Sequence, residues 1–251
     1  MSVGIKSEKE IELMRESGRI LANVLEELEG LVQPGISTLD IDKKCAEIIK
    51  SYDCVPSFLN YNGYPASVCI SVNSEVVHGI PNKDRILKDG DIVSLDCGVI
   101  YKGFHSDAAR TVAVGEISKE AKQLIEVTMQ SFYEGIKFAK EGHHLHEISE
   151  AIQTYVENHG FSIVRDLVGH GIGRNLHEEP QIPNFRQKRR GLKLVAGMTL
   201  AIEPMVNVGR YDVYWEDDDW TVVTADGSLS AHYENTILVT NGEPELFTIK
   251  K

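Results

Sequence analysis

No apolar run in these 251 residues approaches the roughly 18 needed to span a membrane. The opening residues, Met1-Ser2-Val3-Gly4-Ile5-Lys6-Ser7-Glu8, hold no apolar signal core, so no export is expected. Cysteine is sparse. Cys45, Cys54, Cys69 and Cys97 form no C-x-x-C pair and no zinc-finger spacing. Free thiols in a chain of this length suit a reducing cytosol, and a cytoplasmic protein is expected. Basic residues are the minority, 26 against 38 acidic, and the net charge of −12 argues against a dedicated nucleic-acid binder. Proline and glycine are scattered, so no linker stands out. With 42% apolar and 25% charged residues the chain has ordinary globular composition.

What the chain does contain is one segment written twice, each copy ending in an acid. Leu87-Lys88-Asp89-Gly90 leads into a strand-like run ending at Asp96, and Leu194-Val195-Ala196-Gly197 leads into another ending at Glu203. Both read L-x-x-G-x5-[D/E], and the acids stand 107 residues apart. Each acid lies in a nearly apolar run, Ile92 to Cys97 and Met198 to Glu203. A lone carboxylate buried in a sheet costs several kcal/mol or more unless it is paired or bound to a metal. Two at matching positions point to a cation site on an internal pseudo-twofold axis.

The flanking pattern repeats as well. Ile11, Met14, Leu21, Val24, Leu25 and Leu28 form one helical stripe over residues 7–29, with Ser7 and Glu10 spaced as a capping box. Gln33-Pro34-Gly35 breaks the chain, and Thr38 to Tyr52 predicts a second helix. Ser118 then opens a helix to about Lys140, Glu141-Gly142 breaks it, and Leu145 to Asn158 predicts another. The expectation is an α+β chain forming one domain over 1–251, with halves of about 1–115 and 116–251.

Each half supplies a second acid. Asp107 precedes Arg110-Thr111-Val112-Ala113-Val114, and Glu234 precedes Asn235-Thr236-Ile237-Leu238-Val239, so both open β-branched runs. Between the pairs lie His170, in Val168-Gly169-His170-Gly171-Ile172-Gly173, and His177. Glycines on both sides let the backbone turn so that the imidazole reaches inward. Four carboxylates with an imidazole suit Mn, Fe(II), Co or Zn as two ions about 3.5–4 Å apart. Two shared carboxylates hold such a pair and leave room for a bridging hydroxide, a nucleophile at neutral pH that amide hydrolysis requires. Any one of these acids alone reads more readily as a turn or surface residue, and a G-x-G-x-G loop alone as a plain turn or anion loop. A one-metal oxygenase needs two histidines and one carboxylate, which leaves too many acids unexplained.

At this point the sequence resembles the bacterial type I methionine aminopeptidases, metallopeptidases of the pita-bread or creatinase-like fold. The matching stretches are Tyr61 to Cys69, Val76-Val77-His78-Gly79-Ile80-Pro81, Leu95-Asp96-Cys97-Gly98, Gly103 to Asp107, Gly169 to Arg174, His177-Glu178-Glu179-Pro180, Ile202-Glu203-Pro204-Met205 and Asp219-Trp220-Thr221. The resemblance covers essentially the whole chain, from the first helix to the last strand. The resemblance implies two pseudo-twofold halves with a curved, mainly antiparallel central sheet covered by helices. It implies a dinuclear aminopeptidase that removes initiator methionine ahead of a small second residue. Asp96 would chelate one metal, Asp107 and Glu234 would bridge both, and His170 and Glu203 would complete the other. Glu203 would also accept a proton from the attacking water. His78 and His177 would contact the scissile amide without ligating metal. Phe58, Tyr61, Tyr64, Cys69, Leu176 and Trp220 would line the side-chain pocket, a soft surface suited to a thioether. Asn73 and Ser230 would help hold a monovalent cation.

The sequence departs from that family's pattern at Phe58, where a small residue is common, at Leu176, where an aromatic is common, and at Asn62, where many relatives carry histidine. No room precedes Ser7 for the large extra domain of Xaa-Pro peptidases, and a metal-free binding module would have lost ligands that are all present here. The remaining histidines read more simply. His143, His144 and His146 suit surface and capping roles, His105 sits two residues before Asp107, and His159 and His232 carry no argument beyond position. Arg186, Lys188, Arg189 and Arg190 read first as a solvated loop; a sharper expectation is transient docking to the ribosome, whose nascent chains would be substrates. Asp217-Asp218-Asp219 stands in a loop where some relatives carry lysines, which weakens docking there. The resemblance suggests a monomer.

Overall fold

A computed structural model describes residues 3–250; Met1 and Ser2, which open the N-terminal stretch read above, and Lys251 lie outside the described residues. Four helices form, α1 (Glu8–Glu29), α2 (Thr38–Ser51), α3 (Lys119–Ile136) and α4 (Leu145–Asn158). The expected stripe on α1 is real: Met14, Leu21, Val24, Leu25 and Leu28 are buried. At its start the Ser7 backbone N–H donates to the Glu10 carboxylate at 3.0 Å, satisfying one donor that the helix leaves open. Ser37 and Ser118 cap α2 and α3 by accepting from Asp40 N–H and Ala121 N–H, both at 3.1 Å. His144 takes the corresponding position before α4, its own N–H donating to the Glu147 carboxylate at 2.8 Å. Helix α3 stops at Ile136, short of the expected Lys140. There Phe138 N–H and Ala139 N–H turn back to the carbonyls of Gly135 and Ile136, tightening the chain out of the helix.

The strands of the first half are β1 (Val55–Pro56), β2 (Val68–Val72), β3 (Glu75–Val77), β4 (Ile92–Tyr101) and β5 (Phe104–Ala113). Those of the second are β6 (Ser162–Ile163), β7 (Gly169–Gly171), β8 (Glu178–Ile182), β9 (Thr199–Ile202), β10 (Met205–Asn207), β11 (Val213–Trp215), β12 (Val222–Thr224), β13 (Ser230–His232), β14 (Asn235–Leu238) and β15 (Glu245–Leu246). All the pairings between these strands are antiparallel. In one sheet β4 lies between β2 and β5, with β1 against its end; in another the order is β15-β14-β9-β7-β8. Two short sheets, β13-β10-β6 and β11-β12-β3, complete the surface. So the expected central sheet is several antiparallel ladders, stitched together at one seam. There Ala109 N–H donates to Glu234 O at 3.3 Å, and Glu234 N–H returns to Ala109 O at 3.0 Å. Asp107 and Thr111 extend the seam through the hydroxyls of Thr236 and of Thr111 itself, which meets both backbone groups of His232.

The 107-residue offset recurs in the fold. It carries α2 onto α4, two helices of 14 residues, and β1 onto β6. It also carries the isolated bridge Ser37–Ile86 onto His144–Lys193. One apolar core gathers beneath α1 and α2 around Leu21, Ile49, Val93 and Leu95, and another beneath α3 and α4 around Leu124, Phe132, Ile148 and Leu200. Burial of such side chains contributes roughly 1.5–3 kcal/mol each, and this holds the helices onto the sheets. No helix among the described residues is long and apolar enough to cross a membrane.

Candidate metal centre

Strand alternation explains why two of the acids meet. Asp96 faces Ala109 across the β4–β5 ladder, and Asp107 faces Gly98 two positions on, so the two carboxylates are diagonal neighbours on one sheet face. Gly98 lets Ser57 pack closely against that corner, since a Cβ there would stand 2.7 Å from the Ser57 Cβ. The second pair departs from the expectation of four acids on four strands. Glu203 stands just past the end of β9, which Pro204 closes because it has no N–H for the ladder, and Glu234 sits in the break between β13 and β14. Arg110 secures that break. Its guanidinium donates to Glu234 O at 2.6 Å and Asn235 Oδ1 at 2.7 Å and lies 4.5 Å from the Tyr233 ring centroid.

These elements bring the acids and one imidazole together in the interior. Among the described residues, Asp107, His170 and Glu234 offer ligand atoms that all lie within 4.8 Å of one another. His170 Nε2 stands 3.6 Å from Glu203 Oε1 and 3.9 Å from Asp107 Oδ2. Asp107 is 4% exposed and Glu234 2%. Asp96 Oδ1, Asp107 Oδ1 and Glu234 Oε1 are buried with no hydrogen-bond partner. Burial pushes the Asp96 carboxyl up to about 7. It also drives Asp107, Glu203 and Glu234 well above the ordinary range, the neighbouring carboxylates adding to the shift. His170 Nδ1 lies 2.9 Å from the carbonyl of Gly171. A carbonyl only accepts, so Nδ1 carries the proton and Nε2 turns its lone pair toward the acids. Burial holds this imidazole neutral by lowering its pKa to about 3. Orphaned carboxylate oxygens around a bare imidazole nitrogen have no apolar explanation. They fit divalent cations, whose oxygen and nitrogen ligands these are.

The same acids line a cavity of about 260 Å³. Phe58, Tyr61, Tyr64, Cys69, Leu176 and Trp220 all line it, as do His78 and His177. Tyr64 and Trp220 meet edge to face at 5.1 Å, and the Tyr64 hydroxyl donates to Gly79 O at 2.8 Å. The Asp218 carboxylate accepts from the backbone N–H of Trp220 at 2.8 Å and of Thr221 at 2.7 Å, bracing that wall. His78 has φ +62, a strained backbone for histidine, and burial lowers its pKa to about 4. The His177 Nδ1 lies 2.7 Å from the Tyr61 hydroxyl, and its ring centroid is 4.3 Å from that of His170. Asn62 also lines the cavity. The sequence marked it only as a departure from the family pattern, and its φ of +50 in a tight turn is what aims it there.

The other expected residues fall as follows. Ser230 N–H donates to Asn73 O at 2.8 Å, so these two are neighbours, while the Asn73 amide is taken up by Asp91 and Ile92. His105 Nδ1 pairs with Ser57 Oγ at 3.0 Å, His143 Nδ1 with Glu147 at 2.8 Å and His159 Nδ1 with Tyr155 O at 2.7 Å. Arg186, Lys188, Arg189 and Arg190 are exposed on one loop, as are Asp217 to Asp219 on another. His232, to which position alone gave no role, is buried beside Glu203.

An α+β fold enclosing three buried carboxylates, the half-buried Glu203 and a neutral imidazole is that of a divalent-metal enzyme. Residues 12–241 match the metallopeptidase family M24. Methionine aminopeptidase from Clostridium acetobutylicum is 53% identical over 245 residues, 98% of each chain. The crystal structure of methionine aminopeptidase from Rickettsia prowazekii superposes with a TM-score of 0.97 at 42% identity, covering 99% of this chain and 100% of that one. The Xaa-Pro dipeptidase from Bacillus anthracis shares the fold at 24% identity and TM-score 0.80, but only 62% of that chain is covered. The chain belongs to metallopeptidase family M24, and its α+β architecture is the pita-bread fold of that family.

Proposed function

We propose that this chain is a methionine aminopeptidase, which hydrolyses the peptide bond after an N-terminal methionine when a small residue follows. The observation that carries this reading is a single cavity lined both by Asp96, Asp107, His170, Glu203 and Glu234 and by aromatic and thiol side chains. Sulfur–aromatic contacts contribute about 0.3–1.5 kcal/mol each, which favours a thioether in that wall. Mn, Fe(II), Co or Zn would be held as a pair, Asp96 on one ion, His170 and Glu203 on the other, and Asp107 and Glu234 on both. Bound there, the ions supply Lewis acidity and make a water nucleophilic at neutral pH.

The chain's own residues do the rest. Glu203, beside the proposed metal pair, would accept a proton from the attacking water. Neutral His78 and His177 donate to the amide and its carbonyl as charge develops, with the Tyr61 hydroxyl orienting His177. Asn73 and Ser230 support a monovalent cation beside the site. Arg186, Lys188, Arg189 and Arg190 give nascent chains a transient ribosomal contact, testable by ribosome pelleting after charge reversal. We read the chain as one catalytic domain with halves of about 1–115 and 116–251, monomeric and cytoplasmic.

The deciding experiment strips the metal, restores Mn(II) and supplies equal Met-Ala-Ser, Leu-Ala-Ser and Ala-Pro-Ser peptides, with products read by mass spectrometry. Release of methionine alone is expected. Cleavage before proline would transfer the chain to the Xaa-Pro branch, and no cleavage with any divalent metal would sink the enzymatic reading.

A further inference from the structure

His232 is a buried polar side chain that the proposed chemistry leaves unused. It is 1% exposed, and neither ring nitrogen has a hydrogen-bond partner. A buried imidazole with both nitrogens idle is costly, so the position calls for an explanation. Its backbone is held from two sides. His232 N–H donates to Thr111 Oγ1 at 2.8 Å, the Thr111 hydroxyl donates back to His232 O at 2.8 Å, and β13 pairs His232 with Met205. Met205 follows Glu203 by two residues, so the ladder that fixes His232 also fixes the chain carrying Glu203. The ring ends with Nε2 at 3.8 Å from Glu203 Oε2, while Glu203 Oε1 faces His170 Nε2 at 3.6 Å. Asn184 secures the Glu203 backbone carbonyl from its side-chain amide at 3.0 Å. Among the described residues no hydrogen bond reaches the Glu203 carboxylate itself.

We infer that His232 is a positioning residue for Glu203: its Nε2–H donates to Oε2 and so presents Oε1 to the cation that His170 shares. A carboxylate can only accept, so the nitrogen facing it must carry the proton. The gap is about 1 Å longer than a charge-assisted N–H···O bond, so the contact becomes a hydrogen bond only when the two side chains draw together. Partners that orient a metal-binding carboxylate from behind typically change metal affinity by about 10- to 100-fold when removed. The inference rests on the proposed ligand role of Glu203.

The test is calorimetric titration of the metal-stripped full chain with Mn(II), together with kcat and KM on Met-Ala-Ser. His232→Leu should weaken one Mn(II) site by about 10- to 100-fold and lower kcat, with KM nearly unchanged. His232→Gln, whose amide N–H₂ can donate from a similar place, should recover both, which mere repair of packing would not explain. Parent-like Mn(II) affinity in the leucine variant would overturn the inference, as would a glutamine variant no better than leucine. If the leucine variant fails to fold, His232→Asn replaces it; this amide is too short to reach Glu203, and parent-like affinity there would overturn the inference equally. A parent chain that binds no Mn(II) would instead overturn the metal reading itself.

Discussion

The Tyr61 hydroxyl and His177 Nδ1 lie 2.7 Å apart, with the rings tilted by 39° and their centroids 5.2 Å apart. The hydroxyl can donate to Nδ1, and the proton on His177 is then at Nε2, where it can serve an oxygen of the substrate. Removing the hydroxyl with Tyr61→Phe should lower kcat about 2- to 10-fold, the worth of one hydrogen bond of roughly 0.5–1.5 kcal/mol. Bound Mn(II) should not change. Steady-state kinetics beside metal analysis checks this, and an unaltered kcat would detach Tyr61 from the reaction.

His78 stands in the cavity wall at φ +62 and is assigned no metal. His78→Ala should therefore cost turnover, by about 100-fold if it donates to the developing oxyanion. The metal content should stay at the parent level. Loss of metal on elemental analysis would mean that His78 belongs among the ligands.

Stripping the metal leaves the carboxylates of Asp96, Asp107 and Glu234 confined with orphaned oxygens. A cation that binds only the folded chain stabilises it by about 2.7 kcal/mol at a hundred times its Kd. The thermal midpoint of the stripped protein should thus climb as Mn(II) is added. With Asp107→Asn the climb should be much smaller, since one acid shared by the cluster is gone. Identical Mn(II) responses in scanning calorimetry would contradict the cluster as the binding site.

Asp226 titrates far from the cavity. It accepts from the backbone N–H of Arg210 at 2.7 Å and of Ser228 at 3.1 Å, and these bonds hold its carboxyl down to about 2. The unfolded value is about 3.9, so the unfolded chain takes up the proton first. The stabilisation is fully present above about pH 4 and is lost as the pH falls from there toward 2. Asp226→Asn should remove that share of the acid sensitivity. Urea unfolding of both proteins at pH 5 and pH 3 should show the stability gap between them narrowing at the lower pH; a constant gap would refute the assignment.

The sequence made the acids of the first half legible for a reason that physics supplies: Asp96 and Asp107 stand in runs of otherwise strand-forming residues, and the ladder carries them onto one face. The helices were legible through the stripe of Met14, Leu21 and Leu28 and through Ser7 and Ser118 at helix starts. Where α3 would stop was not, because the turn at Phe138 depends on contacts and not on a breaking residue. Glu203 and Glu234 were found as residues but misplaced as strand members, since the proline and the Arg110 anchor act through tertiary pairing. Phe58, Tyr64 and Trp220 carry no pattern that separates them from core aromatics, so only family resemblance located the pocket. His232 was silent altogether: its distance from Glu203 is set by a pairing of β10 with β13 that no spacing in the chain announces.

The reciprocal hydrogen bonds of Ala109 and Glu234 join residues that lie on either side of the exposed Gly115–Glu116 stretch. Acids from both sides of that stretch enter one cluster, so neither portion of the chain owns it. Cut at Gly115–Glu116, the two fragments should restore hydrolysis only when mixed. Of the five proposed ligands one fragment keeps Asp96 and Asp107 and the other His170, Glu203 and Glu234, so recovered hydrolysis would be a direct readout of reassembly.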